Sequence, residues 1–486
     1  MLQLSGQGPL HRQVYLALRQ SILSGELRRG ARLPSSRALA EELSVSRTIT
    51  QLAYEQLIAE GYLAGRVGSG TYVAEELDPQ LNADSDEDDG IDAEPPRLSR
   101  AGRRVLERSA SLYGAAFALR GRQRYDFRPG LPPLADFPHE RWRRMLGRQA
   151  RRLDGAAYEY PPAKGLLVLR EALVSYLRRS RALVCDPEQI VIVGGSQQGL
   201  DLAARVLLDP DDEFLIEEPG YEGARNVFSL TGARAVAAPV DEEGIVCTAL
   251  HEVSPRARVA YVTPSHQYPT GSVLSLPRRL ALLAWADRAE SYIVEDDYDG
   301  EFRYSGRPLA PLKALDRSGR VLYLGTFSKV MFPALRLGYL VLPNALVRVF
   351  ARAKPLADGG TSPLLQATMA DFVSSGSFEL YVRRLRARMR ERRQALLDAI
   401  DASLGEEVRV VGGEAGLHIM LQWKNRSPAD VDAMMAAAAE RGVGVYSAAS
   451  YYIHPPEVGE MVLGYAAMTP AAIRSGIRRL AGAARR

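Results

Sequence analysis

Cysteine is nearly absent: Cys185 and Cys247 are the only two in 486 residues, far apart and in no metal-ligand spacing. That excludes a disulfide framework and a cysteine-based metal centre; the two thiols read as buried side chains of a protein from a reducing compartment. Long apolar runs are missing too. No stretch of about eighteen apolar residues occurs, and residues 1–6 lack a basic stretch leading into an apolar core, so neither a membrane span nor a secretory signal is expected. Lysine is scarce, with Lys164, Lys313, Lys329, Lys354 and Lys424 making up the whole set. Chemistry that needs a lysine therefore has few candidates, and the expected location is the cytoplasm.

What is present implies more than one domain. A chain of 486 residues exceeds one ordinary core, and its 46% hydrophobic and 25% charged composition is that of a globular protein. The net charge of +4 conceals an asymmetry. Residues 1–73 carry eight Arg and five Glu without Asp or Lys, residues 75–94 carry ten acids and no base, and the remainder is strongly basic. The acidic stretch 78–96 has few large apolar residues and ends in two prolines, so it cannot offset its ordering entropy and reads as a linker. Behind it, Arg97, Arg100, Arg103, Arg104 and Arg108 form either a solvated helix face or a set of phosphate contacts. The expected division is 1–74, a linker over 75–115, and a large domain over 116–486.

In the first segment Val14, Leu18 and Ile22 recur every fourth residue and predict a helix. Ser35-Ser36 predict the cap of a second helix reaching Leu43, and Ser46 that of a third reaching Glu60. On the third, Ile49, Ala53 and Leu57 form the expected core stripe, widened by Leu52, leaving Arg47, Thr48 and Gln51 outside. The glycine-rich stretch 65–73 predicts a hairpin. A helix-turn-helix presents the start of its second helix to the major groove, and Ser46, Arg47, Thr48 and Gln51 occupy such positions. Arg37 suits a contact at the groove edge, and Arg66 with Gly68 suits a wing entering the minor groove. Each residue alone is weak, since a surface arginine is usually only solvated.

After the linker, short apolar runs at 190–193, 214–216, 259–262, 292–294, 321–324 and 337–341 alternate with helical patterns. This rhythm predicts an α/β fold with a mostly parallel sheet, followed over 408–480 by a smaller α+β subdomain. Four features at its strand ends suit pyridoxal 5'-phosphate (PLP). Lys329, in GTFSK (325–329), is the lysine for a Schiff base, with Thr326 and Ser328 offering hydroxyls and Arg336 a cation for the phosphate. The plain alternative is a surface lysine. The run Glu295-Asp296-Asp297-Tyr298-Asp299 supplies Asp296 for the pyridine nitrogen, with Asp297 turned to the other face and Tyr298 able to bond the phenolate oxygen; a metal site or helix cap is the alternative. Gly194-Gly195-Ser196-Gln197 leads a strand into a helix and predicts an anion cradle. Tyr221 would lie against the ring, or be an ordinary packed tyrosine.

In this order the motifs resemble the fold-type-I PLP enzymes, the aspartate aminotransferase superfamily, from about residue 120 onward. TPSHQYPTG (263–271) resembles that superfamily's N-P-T-G loop with Tyr268 in place of Asn, which leaves more of the cofactor contact to Tyr298. EYPPAKG (159–165) resembles the segment whose tyrosine, here Tyr160, reaches a phosphate across a dimer interface. The strings GARLPSSR (30–37), LSVSRT (43–48), EGYL (60–63) and GSGT (68–71) resemble the GntR-type winged helix, which implies DNA contacts by Arg37, Ser46, Arg47, Thr48 and Gly68. The whole chain is similar to the MocR-type regulators, which join the two. The resemblance implies a homodimer, often swapped head to tail, that binds operator DNA on the bacterial nucleoid. It answers to a small-molecule effector and has RNA polymerase as a further partner. Many members carry an Arg in the segment matching 445–452 to hold an effector carboxylate; this chain has none there. The expected effector is therefore PLP itself, an amine or a sulfonate, and efficient transamination is not expected. A working aminotransferase that also binds DNA is the alternative. Arg225 is a candidate for a compensating cation.

Overall fold

A computed structural model describes residues 6, 8–66, 70–75, 97–107, 123–152, 159–250, 254–304 and 310–485. The chain divides into two units, Met1–Pro96 and Arg97–Arg486.

In the first unit helix α1 (Leu10–Leu23) buries Val14, Leu18 and Ile22, as the four-residue recurrence predicts. Helix α2 (Ser36–Glu42) starts where Ser35 accepts from the Ala38 N–H at 3.2 Å. Helix α3 (Arg47–Ala59) follows Ser46, whose backbone is extended but whose side chain makes no capping bond. The core stripe of α3 differs from the sequence expectation. Thr50, Ala53, Tyr54 and Leu57 are buried, at i, i+3, i+4 and i+7, whereas Leu52 is 47% exposed. The polar members are buried because their hydroxyls have acceptors: Thr50 donates to the Ser36 carbonyl at 2.7 Å and Tyr54 to the Pro34 carbonyl at 2.8 Å. Thr50 thus pins α3 to α2. Thr50→Val should loosen that junction by about 1–2 kcal/mol, leaving the half-buried Ser36 carbonyl one partner short. Hydrogen exchange of the α3 amides in the full chain measures this, and unchanged protection would refute it. Strands β1 (Leu63–Arg66) and β2 (Gly70–Val73) pair antiparallel, with Arg66 opposite Gly70. The expected tip residue Gly68 lies outside the described residues, as do 76–96 and 108–115 of the expected linker.

In the second unit the region around 100–107 is helical, and Arg104 donates to the Leu230 carbonyl at 3.3 Å, so that arginine belongs to this unit's surface. A two-residue strand β3 (Tyr125–Asp126) comes next. The main sheet contains β4 (Ile190–Val193), β5 (Glu213–Glu218), β6 (Arg234–Asp241), β7 (Gly244–Ile245), β8 (Val259–Val262), β9 (Tyr292–Asp297), β10 (Val321–Thr326) and β11 (Gly338–Val341). Its order is β4-β11-β10-β9-β8-β5-β6-β7. The five strands from β10 to β6 are parallel, β11 opposes both neighbours, and β7 folds back on β6. Helices cover both faces, so strands such as β4 and β8 are buried throughout and read as continuous apolar runs.

The smaller subdomain is an antiparallel sheet, β12 (Val408–Val411), β13 (His418–Trp423), β15 (Tyr446–Ser447) and β16 (Glu460–Gly464), in the order β12-β13-β16-β15. Beside it β14 (Val443–Gly444) pairs with β3, so residues from before the main sheet are stitched into this subdomain. Among the described residues no helix is long and apolar enough to cross a membrane.

Candidate functional site

The carboxyl ends of parallel strands are where an α/β sheet leaves a crevice. Here the ends of β5, β8, β9 and β10 open onto a cavity of about 420 Å³. Nine of the ten cofactor residues expected from sequence line it: Ser196, Gln197, Tyr221, Asp296, Tyr298, Thr326, Ser328, Lys329 and Arg336. Tyr160 does not, and its side chain stands 90% exposed elsewhere.

Lys329 sits three residues past the end of β10, and its Nζ donates to the Gly130 carbonyl at 3.1 Å. Burial lowers its pKa, opposed by Asp299 and Asp296. Gly130 has φ +76°, and a Cβ there would come within 2.6 Å of the Lys329 amine, so this contact needs glycine.

The acidic run at the end of β9 alternates with the pleat. Asp296 faces the cavity. Its Oδ2 accepts from the Tyr261 hydroxyl at 2.9 Å, while its buried Oδ1 has no hydrogen-bond partner among the described residues. Burial pushes its carboxyl up to about 7, with the Tyr261 hydrogen bond acting against that. Asp297 points to the opposite face, where Arg181 Nε (2.6 Å) and the Tyr323 hydroxyl hold it and the Arg181 charge keeps its pKa low despite burial. Glu295 accepts the backbone N–H groups of Leu312 and Lys313, both at 2.8 Å. Asp299 meets His266 Nδ1 at 3.0 Å. Every acid in the run thus has a partner inside the protein; Asp296 and Asp299 both line the cavity, and each keeps a buried Oδ1 without a hydrogen-bond partner among the described residues.

Across the cavity Gly195, with φ +101°, begins the helix Ser196–Leu207. A Cβ on Gly195 would come within 3.1 Å of the Arg336 guanidinium carbon, so backbone N–H groups and a cation converge there. Arg336 is exposed and has no ion pair among the described residues. Thr326 and Ser328 share a hydrogen bond of 3.2 Å beside it, and Gln197 reaches the Gly223 carbonyl at 3.3 Å.

Tyrosines form the remaining wall. Tyr268, in the place of the superfamily's Asn, donates to the Tyr451 hydroxyl at 2.8 Å and stands edge-on to Tyr221. The Tyr298 hydroxyl lies 2.9 Å from His266 Nδ1. A single Nδ1–H shared between Asp299 and the Tyr298 oxygen satisfies both contacts and leaves the phenolic proton available to the cavity. Sequence reading missed Arg128, Gly130, Tyr261, Thr263 and His418, all in this wall. Tyr261 was findable, since it lies on β8 two residues before the recognised TPSHQYPTG run; Arg128 and His418 carry no local signal. Donor atoms of His266, Asp299 and His418 lie within 4.8 Å of one another, a proximity their spacing along the chain conceals. Arg225 does not line the cavity: it donates to the Tyr452 (2.9 Å) and Ser450 (2.7 Å) carbonyls.

In the first unit Ser46, Arg47 and Thr48 are exposed at the start of α3, with Gln51 one turn on, bonded to Glu55 at 3.0 Å. Arg37 is exposed on α2, 3.4 Å from Glu41, and Arg66 lies over the Tyr72 ring, 3.2 Å from Glu75.

Two family models match this chain: bacterial regulatory proteins of the gntR family over residues 10–73, and aminotransferase class I and II over residues 135–480. The probable rhizopine catabolism regulatory protein MocR of Rhizobium meliloti is 38% identical over 98% of this chain and 94% of its own length. The chain belongs to the MocR-type GntR regulators. As such it is a DNA-binding transcriptional regulator with an aminotransferase-like domain. Another MocR-type relative, the pyridoxine biosynthesis regulator PdxR of Corynebacterium glutamicum, is 32% identical over 90% of this chain and 87% of its own. The fold-type-I architecture is shared with Pyrococcus horikoshii kynurenine aminotransferase, solved in complex with PMP (TM-score 0.71, 30% identity, 80% of this chain and 95% of that one). It is shared as well with the α-aminoadipate aminotransferase LysN of Thermus thermophilus (TM-score 0.72, 31% identity, 80% and 97%).

Proposed function

We propose that this regulator carries PLP on Lys329 and uses it to sense a small amino compound. The observation that carries the reading is the buried Asp296 oxygen without a partner, in the same cavity as the Lys329 amine and the acid-free Arg336. A vacant cavity would leave that carboxyl desolvated for nothing, whereas a protonated ring nitrogen answers it. The residues present therefore fit the cofactor. When bound, PLP supplies an aldehyde that takes up primary amines. Lys329, with its pKa lowered by burial, holds that aldehyde. Asp296 keeps a proton on the ring nitrogen, and Tyr298 donates toward the phenolate oxygen. Gly195, Ser196, Gln197, Thr326, Ser328 and Arg336 hold the phosphate, and Tyr221 lies against the ring. Tyr160, exposed on its own protomer, completes the phosphate site of a second copy. Arg37, Ser46, Arg47, Thr48 and Gln51 meet operator DNA in the cytoplasm, with Arg66 and Gly68 as the wing. Residues 75–115 act as the linker between a DNA-binding domain (1–74) and an effector domain (116–486), with its part at 97–107 held to the second unit.

Visible spectra of the purified chain and of Lys329→Ala, before and after borohydride, test this. A band confined to the wild type and lost on reduction is expected. No such band after adding PLP would overturn the cofactor reading while leaving the regulator intact. Efficient turnover of amino acids is not expected, because 445–452 contains no arginine and Arg225 is committed to carbonyls.

A further inference from the structure

We propose that Asp358 couples cofactor binding to self-association. One of its oxygens holds the phosphate cradle and the other holds the loop beside Tyr160, so phosphate in the cradle tightens the docking of a second copy. The proposal rests on the PLP reading above and names how that site is regulated.

Asp358 stands where a helix disfavours an acid. It is the last residue of the helix Asn344–Asp358, at the negative end of the backbone dipole. The helix end does not require it, because Gly359, with φ +67°, closes the helix by donating to the Pro355 carbonyl at 2.9 Å. Lys354, one turn back and only 1% exposed, donates to both Asp358 oxygens, at 2.7 and 2.5 Å, and to the Thr361 hydroxyl at 3.0 Å. Partial burial pushes the Asp358 carboxyl up, but hydrogen bonds from Lys354, Gln198 and Gly360 outweigh it and hold the pKa below the usual aspartate value. A lysine is almost never buried without such a partner. One of the chain's five lysines is thus buried to fix a carboxylate that the helix does not need.

The carboxylate faces two ways. Its Oδ2 accepts from Gln198 Nε2 at 2.9 Å. An amide that gives its N–H to a carboxylate must turn its oxygen the other way, and Gln198 Oε1 accepts from the Gly194 N–H at 2.7 Å. Gly194 precedes Gly195, which opens the cradle beside Arg336. The charge on Asp358 therefore sets the Gln198 amide, and the amide sets the turn that presents the cradle. On the other side Asp358 Oδ1 accepts from the Gly360 N–H at 2.8 Å. A Cβ on Gly359 would lie 3.7 Å from the Tyr160 ring, and one on Gly360, where φ is +120°, would overlap Pro161. The loop that Asp358 holds is thus the bed on which the exposed Tyr160 rests.

Coupling of this kind is reciprocal: whatever factor phosphate adds to association, association adds to phosphate binding.

The test uses the full chain carrying Tyr160→Phe, which removes any direct bond from Tyr160 to a second copy's phosphate and leaves the path through Asp358. Donor- and acceptor-labelled copies are mixed, and their exchange is followed by energy transfer in saturating PLP or in pyridoxal, which has the same aldehyde without the phosphate. PLP should slow exchange about fivefold or more relative to pyridoxal. Gln198→Ala should remove that difference while leaving the Lys354–Asp358 pair whole. The double variant Lys354→Asp, Asp358→Lys should remove it too, because the pair survives but a lysine offers Gln198 no acceptor. A pair that merely stabilises the helix would leave the double variant like its parent. Equal exchange in PLP and pyridoxal, a difference that survives Gln198→Ala, or a chain that stays monomeric with PLP overturns the proposal while the Lys329-dependent band still upholds the PLP reading. Should the double variant fail to fold, Gln198→Ala decides. A wild type without the band removes the PLP reading and this proposal with it.

Discussion

Asp296→Asn is expected to make the cofactor-free chain more heat-resistant than wild type at pH 8, while cutting its affinity for PLP by about a hundredfold or more. Both effects come from one buried carboxyl. Burial places its folded-state pKa at about 7, against about 3.9 for an unburied aspartate. A carboxyl raised on folding costs nothing below the unfolded value, where both states are protonated. As pH rises the unfolded chain ionises first, and the penalty grows until the folded group ionises too. Above pH 7 it reaches at most about 4 kcal/mol. Asparagine carries no such penalty, and its amide oxygen can still accept from Tyr261. The stability difference should therefore be small at pH 4, open between about pH 4 and 7, and stay level above that. With PLP the sign reverses, because the ring-nitrogen proton loses its counter-charge, at a cost of about 3–5 kcal/mol. Calorimetric scans at several pH values, with and without PLP, read both arms. A variant less stable than wild type at pH 8 without PLP, or one that binds PLP normally, would contradict the assignment.

The second large effect is expected at Gly416. Its φ is +79°, and a Cβ there would overlap the imidazole of His266. The backbone cannot yield easily. The Gly416 N–H donates to the Phe302 carbonyl at 2.7 Å, and its own carbonyl accepts from Tyr304 and Tyr465, both at 2.6 Å. Nor can the ring, which meets Asp299 and Tyr298 on one side and lies 4.9 Å from the His418 ring. Gly416→Ala should thus cost about 3 kcal/mol or more, from overpacking and a left-handed backbone together. It should also weaken PLP uptake by shifting His266 off Tyr298. Adding His266→Ala should recover part of the stability by vacating the space. Thermal unfolding of the single and double variants settles it: a single variant within about 1 kcal/mol of wild type sinks the argument.

Legibility in the sequence followed the length over which each signal is local. β4 and β8 have the bounds their apolar runs predict, because both faces of each strand are covered. β9 and β10 run on to Asp297 and Thr326, past the last apolar residue, since the sheet continues where polar side chains find partners. The opposite facing of Asp296 and Asp297 was readable from the pleat alone. The α3 stripe was misread because Leu52 looked like core and Thr50 did not; a backbone carbonyl from α2 reverses that ranking. Arg128 and Gly130 reach the cavity from 199 or more residues before Lys329, and nothing near them in sequence announces it. The pairing of β3 with β14 joins two-residue strands, too short for any periodicity to show.

That last pairing sets an order of events during synthesis. Asp126 cannot take its place until Gly444 has been made, nor can the segment that carries Gly130 to Lys329 be secured before then. Among the described residues, the core, hairpin pairing and wing ion pair of the first unit all lie within residues 1–75. Domains fold as units from the N-terminus while the chain is still growing. On each ribosome the DNA-reading part is thus finished several hundred residues before the pocket can close around anything.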